Sequence, residues 1–313
     1  MLIVFGSINM DIFFEAPRHP VTGETMICSS YTMASGGKGA NQALAAARFG
    51  GKIALVGRVG DDGLGMRILN VIRREGVMTS GVAQSMFPTG CSSIVRDPHG
   101  RLQIAYAPGA NRDVDETQVP DEILGSSNFV LMQMETTPEE NWKLLERAEK
   151  FGARTMLNLA PAITIPEAAL RRLDYLIVNE LEARQIGALL GFKVEIDAVK
   201  LARALSLAGR KLTCIVTLGA RGALAVTPAG QMIEVPALEI AEVVDHTGAG
   251  DAYCGTLAAA LHANLSLREA MRRASVAGAL ACTKKGAQDS FPLLGQIEEA
   301  LPRLGETKIS TVK

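Results

Sequence analysis

Tyr175-Leu176-Ile177-Val178-Asn179-Glu180-Leu181-Glu182 decides the architecture: four apolar residues run straight into an Asn and an acidic first turn, after which a helical period carries on to Leu190. A strand-length apolar run that empties directly into a helix is one half of a strand–helix–strand unit, and repetition of such units makes a mostly parallel sheet covered by helices. The alternation does repeat on both sides. Leu2–Gly6, Lys52–Val56, Phe129–Met132, Arg154–Asn158, Cys214–Thr217 and Ala223–Val226 read as further core strands. Helices are expected over Asn41–Phe49, Leu64–Glu75, Pro138–Phe151, Glu180–Leu190, Ile196–Ala208, Asp251–Ala263 and Leu267–Thr283. The expected class is therefore α/β, a doubly wound, mostly parallel sheet with helices on both faces.

Two stretches break the rhythm. Residues 13–33 carry Pro17, Pro20 and Gly23 ahead of an extended Thr25–Tyr31, and residues 89–107 place Ser92–Val95 and Leu102–Tyr106 around the turn former Asp97-Pro98-His99-Gly100. Both read as hairpin-like insertions. Paired with each other they would form a small β-sheet over the strand ends, where open α/β sheets bind ligands, and would act as a lid on a single domain spanning 1–313. Two unrelated surface hairpins are the plainer alternative.

Composition narrows the function. Of 313 residues, 48% are hydrophobic and 21% charged, a globular balance, and the formal net charge is −1, so no basic field gathers nucleic acid or anionic lipid. No apolar run approaches the roughly 18 residues of a membrane helix, and Met1-Leu2-Ile3-Val4-Phe5-Gly6 reads as a first strand rather than a signal peptide. Cys28, Cys91, Cys214, Cys254 and Cys282 contain no Cys-x-x-Cys pair, and His19, His99, His246 and His262 show no ligand spacing, which argues against zinc and against a disulfide framework. A small-molecule ligand and a reduced, cytoplasmic setting are expected.

Six clusters carry chemistry. Asn9 and Asp11, just past the first strand, offer a mixed donor and acceptor edge suited to sugar hydroxyls, although both are also ordinary turn residues. Gly36-Gly37-Lys38-Gly39-Ala40-Asn41-Gln42-Ala43 opens an Ala-rich helix, where glycines let backbone approach a ligand and first-turn amides favour hydroxyl or anionic oxygen. It is neither a Walker A loop, which needs Ser or Thr after its Lys, nor G-x-G-x-x-G, because Gln42 occupies the third glycine position. Lys38 and Asn41 are one helical step apart. Glu135 closes the strand ending Leu131-Met132-Gln133-Met134, facing a site or making a cap or salt bridge. Asn179 and Glu182 span a strand-to-helix junction, near a metal–phosphate locus or as a simple N-cap. Thr217-Leu218-Gly219-Ala220-Arg221-Gly222 is a tight connection whose glycines admit a flat ligand.

The heaviest cluster is Val244-Asp245-His246-Thr247-Gly248-Ala249-Gly250-Asp251-Ala252. Gly248, Ala249 and Gly250 set consecutive N–H groups at a helix start, an anion hole for charge developing on a transferred phosphoryl group. Asp251 follows in the first turn, where phosphoryl transfer needs a carboxylate to orient and deprotonate the attacking hydroxyl. An Asp favoured only by the helix dipole is the alternative.

Assembled, these stretches strongly resemble the ribokinase family of PfkB-type carbohydrate kinases along essentially the whole chain, with Gly36–Ala43 and Asp245–Asp251 specific in combination. The form Gly-Gly-Lys-Gly-Ala-Asn-Gln and Gln133-Met134-Glu135 point within that family to ribose. The resemblance implies transfer of the ATP γ-phosphoryl group to O5 of D-ribose, with Asn9, Asp11, Gly37, Lys38, Asn41 and Glu135 holding the sugar and Asp251 as base. It implies a nucleotide site at Asn179, Thr217, Gly219, Ala220, Gly222, Gly250 and Ser275, with Glu182 acting through Mg²⁺ and its waters. It also implies a K⁺-type activator held by Asp245, Thr247, Ala281, Lys284, Gly286 and Ser290, largely through backbone oxygens, and a homodimer clasped through the lids. Ser92 and Ser93 make the lid strand more polar than the family's aliphatic run. The competing readings are a kinase of a nucleoside, fructose or another small sugar, and a sugar-binding regulator that has lost catalysis; Asp251 beside an intact Gly248–Gly250 speaks against the second.

Overall fold

The computed structural model describes residues 1–189, 191 and 197–312. The expected helix ends at Leu190 and Ile196 lie outside them. In chain order the elements are β1 (Leu2–Phe5), β2 (Asn9–Glu15), β3 (Ser30–Gly36), α1 (Lys38–Arg48), β4 (Ile53–Gly60), α2 (Gly63–Arg74), β5 (Met78–Ser85), β6 (Gly90–Arg96), β7 (Leu102–Ala107), β8 (Phe129–Gln133), α3 (Pro138–Phe151), β9 (Arg154–Asn158), α4 (Glu167–Arg172), β10 (Tyr175–Asn179), α5 (Glu180–Leu189), α6 (Ala198–Ala208), β11 (Thr213–Thr217), β12 (Ala223–Val226), β13 (Gln231–Val235), α7 (Ala249–His262), α8 (Leu267–Ala281), α9 (Leu294–Ala300) and β14 (Lys308–Thr311).

The large sheet has the order β14-β13-β12-β11-β10-β9-β8-β1-β4-β5. From β5 through β11 neighbouring strands are parallel, and β12, β13 and β14 are added antiparallel. Strands with helices on both sides bury both faces, so β1 and β8 are buried at every position and read as continuous apolar runs. Burying each such Leu or Phe stabilises the fold by about 1.5–3 kcal/mol, and Leu131→Ala would lose about 2–5 kcal/mol once the cavity is included. After β1 the chain moves one way, to β4 and β5, and from β8 it moves the other way, so the strand order reverses between β1 and β8. A crevice at the carboxyl ends of strands opens at such a reversal.

Two helices are brought to that crevice by small residues. A Cβ on Gly39 would stand 2.5 Å from the Gly6 carbonyl carbon, and a Cβ on Gly255 would stand 2.3 Å from the Gln42 carbonyl oxygen. Only glycine lets α1 rest on the end of β1 while α7 crosses against α1. The Ala-rich faces of both helices complete that contact.

The remaining strands form a second sheet, β3-β2-β6-β7, in which β2 and β6 are parallel and each pairs antiparallel with its own hairpin partner. Strand boundaries differ from the sequence expectation. Asn9 and Asp11 lie on β2 rather than in a loop after β1, and the first insertion's return strand runs over Ser30–Gly36 instead of Thr25–Tyr31. The backbone of β2 pairs on both edges, with β3 and β6, and that outweighs the turn preference of Asn and Asp. Asp62 fixes the root of this sheet: its carboxylate caps α2 through Gly65 N–H (2.8 Å) and also accepts from the N–H (2.8 Å) and hydroxyl (2.7 Å) of Thr89.

Candidate active site

The crevice is a cavity of about 780 Å³ whose lining includes Asn9, Asp11, Gly37, Lys38, Asn41, Glu135, Gly248 and Asp251, so the residues expected to hold a sugar and the expected base converge there. Its floor is β1, β8 and α1. The Glu135 carboxylate accepts from Ser7 Oγ (2.6 Å) and from the Lys38 N–H (3.0 Å), tying the ends of β1 and β8 to the first turn of α1. The wall comes from the small sheet: Asp11 and Ser92 are paired across β2 and β6, followed outward by Ile94, Ile104 and Tyr106. Gly36 is glycine because a Cβ there would sit 2.1 Å from an Asp11 carboxylate oxygen.

Asp251 is buried in the first turn of α7, which starts after Gly248 in the left-handed conformation (φ 79°). Each carboxylate oxygen accepts one amide: Oδ2 from Asn41 Nδ2 and Oδ1 from Gln42 Nε2, both at 2.9 Å. Burial pushes the Asp251 carboxyl above its ordinary range, and the Lys38 ammonium and the two amides pull it back only in part. Burial disfavours the charge on Lys38, yet the carboxylates of Asp251, Glu135 and Glu182 hold its ammonium above its ordinary value. Burial likewise raises Asp11, with the Ser92 hydroxyl opposing, and raises Glu182. The centre is thus a buried cation ringed by carboxylates whose charge burial disfavours and the Lys38 ammonium supports.

A second cleft of about 430 Å³ is lined by Asn179, Glu180, Leu181, Arg184, Thr217, Leu218 and Gly219. Asn179 and Glu182 do make the reciprocal cap, Asn179 N–H to Glu182 and Glu182 N–H to Asn179 Oδ1, both at 2.8 Å, and they still face the clefts. A smaller cavity joins the two regions, sharing Lys38, Glu182, Gly248 and Asp251 with the first and Asn179 and Thr217 with the second, and adding Gly250 and Cys254. Ala220 lies in the short turn Gly219–Arg221, which ends at Gly222 (φ 92°), where a Cβ would stand 2.1 Å from the Val235 carbonyl oxygen. Ser275 is buried within α8 and lines none of these cavities.

Of the residues expected around a monovalent cation, three are joined directly. Asp245 accepts from the Thr247 N–H (2.9 Å) and hydroxyl (2.6 Å) and from the Gly286 N–H (3.0 Å). Burial works against its charge, but these donors hold Asp245 below the usual carboxylate range. Ala281 ends α8 nearby, whereas Lys284 and Ser290 line a separate surface cavity, with the Ser290 hydroxyl bonded to the Ala287 carbonyl. Among the described residues no cluster of three or more His, Cys, Asp and Glu side chains is placed to hold a metal ion.

Sequence reasoning picked out Asn9, Asn41 and Asn179 but missed Asn111. Asn111, fully buried, accepts from the Ile8 N–H (2.9 Å) and donates to Asn9 Oδ1 (2.6 Å), fixing how Asn9 faces the cavity. Tyr106 leans over the same point, and burial pushes its phenol up to about 12. A lone Asn in a single 3₁₀ turn carries no local signal, because its partners Ile8 and Asn9 lie 103 and 102 residues away.

The fold recurs in known proteins. The model of the pfkB family carbohydrate kinases matches residues 1–294. The ribokinase of Haemophilus influenzae is 36% identical over 298 residues, covering 93% of this chain and 95% of that protein. The crystal structure of Thermotoga maritima ribokinase superposes with a TM-score of 0.89 at 29% identity, covering 96% of this chain and 99% of the other. Arabidopsis thaliana ribokinase, solved with ribose and ATP, superposes at 0.88 and 29% identity, covering 96% and 98%. With one fold, one crevice at the strand reversal and a family match across nearly its whole length, the chain belongs to the pfkB family of carbohydrate kinases.

Proposed function

We propose that this protein transfers the γ-phosphoryl group of ATP to O5 of D-ribose, giving D-ribose 5-phosphate. The observation that carries the reading is the placement of Asp251: a buried carboxylate at the start of α7, facing the larger cavity on one side and joined by a narrower cavity to a second cleft on the other. Asn9, Asp11, Gly37, Lys38, Asn41 and Glu135 orient the sugar hydroxyls, and Asp251 takes the proton from O5 as it attacks. The N–H groups of Gly248 and Gly250 receive the negative charge that develops on the transferred group, the Ala249 N–H being bonded to the His246 carbonyl (3.2 Å), and Lys38 adds its ammonium. Asn179, Thr217, Gly219, Ala220 and Gly222 border the nucleotide; Ser275 reaches it only through the packing of α8.

Two ions fit the donors present. Glu182 faces the connecting cavity, and a small hard cation that keeps its waters suits one carboxylate plus phosphate oxygens, the role given to Mg²⁺. Asp245 with the carbonyl oxygens of Thr247, Ala281 and Gly286 is an oxygen donor set suited to K⁺, which when bound would stiffen the loop carrying Gly248–Gly250, whereas Lys284 and Ser290 line a separate cavity and stand apart from it. The residues at 13–33 and 89–107 act as a lid. Leu102, Ile104 and Tyr106, alternate residues of β7 on the cavity side, are 45%, 58% and 42% exposed, and that apolar row favours a partner lid packing on it in a cytoplasmic homodimer. The test is a coupled ADP assay with ribose, 2-deoxyribose, fructose and a nucleoside: ribose should give the highest kcat/KM. A higher value for any of the others would refute the sugar assignment.

A further inference from the structure

Asp251 is held by more than its two direct partners. Gln42 is fully buried and every polar atom of its amide is engaged: Nε2 donates to Asp251 Oδ1 (2.9 Å) and to Asn158 Oδ1 (3.0 Å), while Oε1 accepts from Gln133 Nε2 (2.8 Å). The other carboxylate oxygen is served in the same manner. Asn41 donates to Oδ2, and Gln288 Nε2 donates to Asn41 Oδ1 (3.0 Å). Both chains point one way. An ionised carboxylate only accepts, so Gln42 and Asn41 must turn their NH₂ groups toward it and their oxygens outward, where Gln133 and Gln288 each present a donor.

The far ends show what this direction requires. Gln133 Oε1 and Gln288 Oε1 are buried without a hydrogen-bond partner in the protein, the mismatch left when both amides are turned with donors inward. Gln133 Oε1 lies where a Cβ of Gly6 would be, 1.9 Å away, so the glycine at the end of β1 makes room for that orientation. Asn158 is buried on β9, with Nδ2 toward the Ile177 carbonyl (3.5 Å), which leaves its oxygen for Gln42.

We infer that Gln42, with Gln133 and Asn158 behind it, and Gln288, acting through Asn41, are positioning residues for phosphoryl transfer: two directional relays of buried amides that hold the Asp251 carboxylate ionised and aimed at the acceptor hydroxyl. This rests on Asp251 being the base. The charged or titratable groups around Asp251 are Lys38 on α1, Glu135 after β8, Asp11 on β2, Cys254 on α7 and, beyond Lys38, Glu182 on α5; none of the three amide substitutions alters them. Oriented amides that need no rearrangement at the moment of reaction are preorganised stabilisation of the kind that raises kcat rather than substrate affinity.

The test uses Gln42→Leu, Gln133→Met and Gln288→Leu in the full-length protein, with the Asp251→Asn background as control. Losing one hydrogen bond to a charged group in Gln42→Leu should lower kcat roughly 10- to 100-fold while the ribose KM changes little, and should move the acid limb of the kcat–pH profile upward. Gln133→Met and Gln288→Leu leave both direct bonds in place and should give smaller decreases in kcat with the same direction of limb movement. In the Asp251→Asn background Gln42→Leu should add almost nothing, because the charge it serves is gone. Full multiplication of the two effects, a change confined to the ribose KM, or an unmoved acid limb would overturn the relays. Should Gln42→Leu fail to fold by circular dichroism, a folded Gln133→Met with wild-type kcat and pH profile overturns them equally. Asp251→Asn with normal kcat would instead show that the base assignment has failed.

Discussion

Asp251→Asn removes the proposed base while keeping its shape, and the structure sets what else it does. Both carboxylate oxygens accept amide donors, from Gln42 and from Asn41. An amide has one acceptor oxygen and an NH₂ group, so the new side chain satisfies one of those donors and turns its own NH₂ against the other. Flipping Asn41 would set its oxygen toward the new NH₂ but take the acceptor from Gln288, and flipping Gln42 would do the same to Gln133. If Gln288 turns as well, its orphaned oxygen accepts from Asn41 and its NH₂ takes the orphaned place, so the mismatch moves to the end of the relay and costs at most about 1–3 kcal/mol. An opposing effect comes from the charge itself. Burial raises the Asp251 carboxyl, so the fold prefers the protonated form: ionisation weakens the protein as pH rises through the ordinary carboxylate range to the elevated folded value, and at neutral pH the substitution relieves that burden. The two effects partly cancel, and the melting temperature at neutral pH should move by only a few degrees, whereas kcat should fall about 10²–10⁴-fold, or about 2.7–5.5 kcal/mol of barrier. ADP release at saturating ribose and Mg·ATP measures the rate, and calorimetric titration with ribose measures binding, which should survive. A folded variant with kcat within about threefold of wild type would refute general-base catalysis by this carboxylate.

Glu135→Ala should raise the ribose KM by about 10–100-fold with a smaller effect on kcat, since it also frees Ser7 Oγ and the Lys38 N–H; a change confined to the ATP KM would contradict a sugar-side role. Replacing K⁺ by Na⁺ or a bulky organic cation at constant ionic strength should lower kcat, and Asp245→Ala should erase the difference between salts while leaving ribose binding nearly intact. Equal rates in all salts would make Asp245 a loop tie only. Because its donors depress Asp245 in the fold, its own stabilising contribution is present above the ordinary carboxylate range and is lost as pH falls through the lowered value, so acid melting curves of wild type and Asp245→Ala should converge. Gly255→Ala gains about 1 kcal/mol of helix propensity but forces a Cβ to 2.3 Å from the Gln42 carbonyl; overpacking of about 1–3 kcal/mol should win, giving a lower melting temperature and a reduced kcat, and a stabilised, fully active variant would show that α1 and α7 can part freely.

What the sequence disclosed, and what it hid, follows from where each element's information lies. Strands such as β1, β8 and β10 were legible because burial on both faces writes an unbroken apolar run. β5 was not, because Met78–Ser85 is a half-exposed edge strand with a Gly inside it; β13, although paired on both edges, alternates exposed and buried residues over only five positions, and β14 is a fully exposed edge strand. The lid was sensed only as a break in rhythm, since Asn9 and Asp11 have turn-like identities and are drawn into β2 by pairing with β3 and β6. At the site, Asp251, Lys38 and Glu135 could be picked out by residue type beside a strand end or helix start. Gln42, Gln133, Asn158 and Asn111 could not, because an amide declares its role only by its partners, and those lie 91 to 209 residues away for Gln42.

That separation also explains why Gly36–Ala43 and Asp245–Asp251 are informative as a pair and weak singly. They are two sides of one contact. Gly39 lets α1 sit on β1, Gly255 lets α7 sit on α1, and only at that spacing do Asn41 and Gln42 reach both oxygens of Asp251. A Cβ at Gly255 would push α7 from α1 by roughly 1 Å, enough to stretch the 2.9 Å bonds from Asn41 and Gln42 past hydrogen-bond range and to leave a buried carboxylate and two buried amides poorly served, at about 1–3 kcal/mol each. Gly39 within the first motif and Gly255 just beyond the second therefore serve the proposed base: close helix contact is the condition for holding its charge in a site from which water is largely excluded.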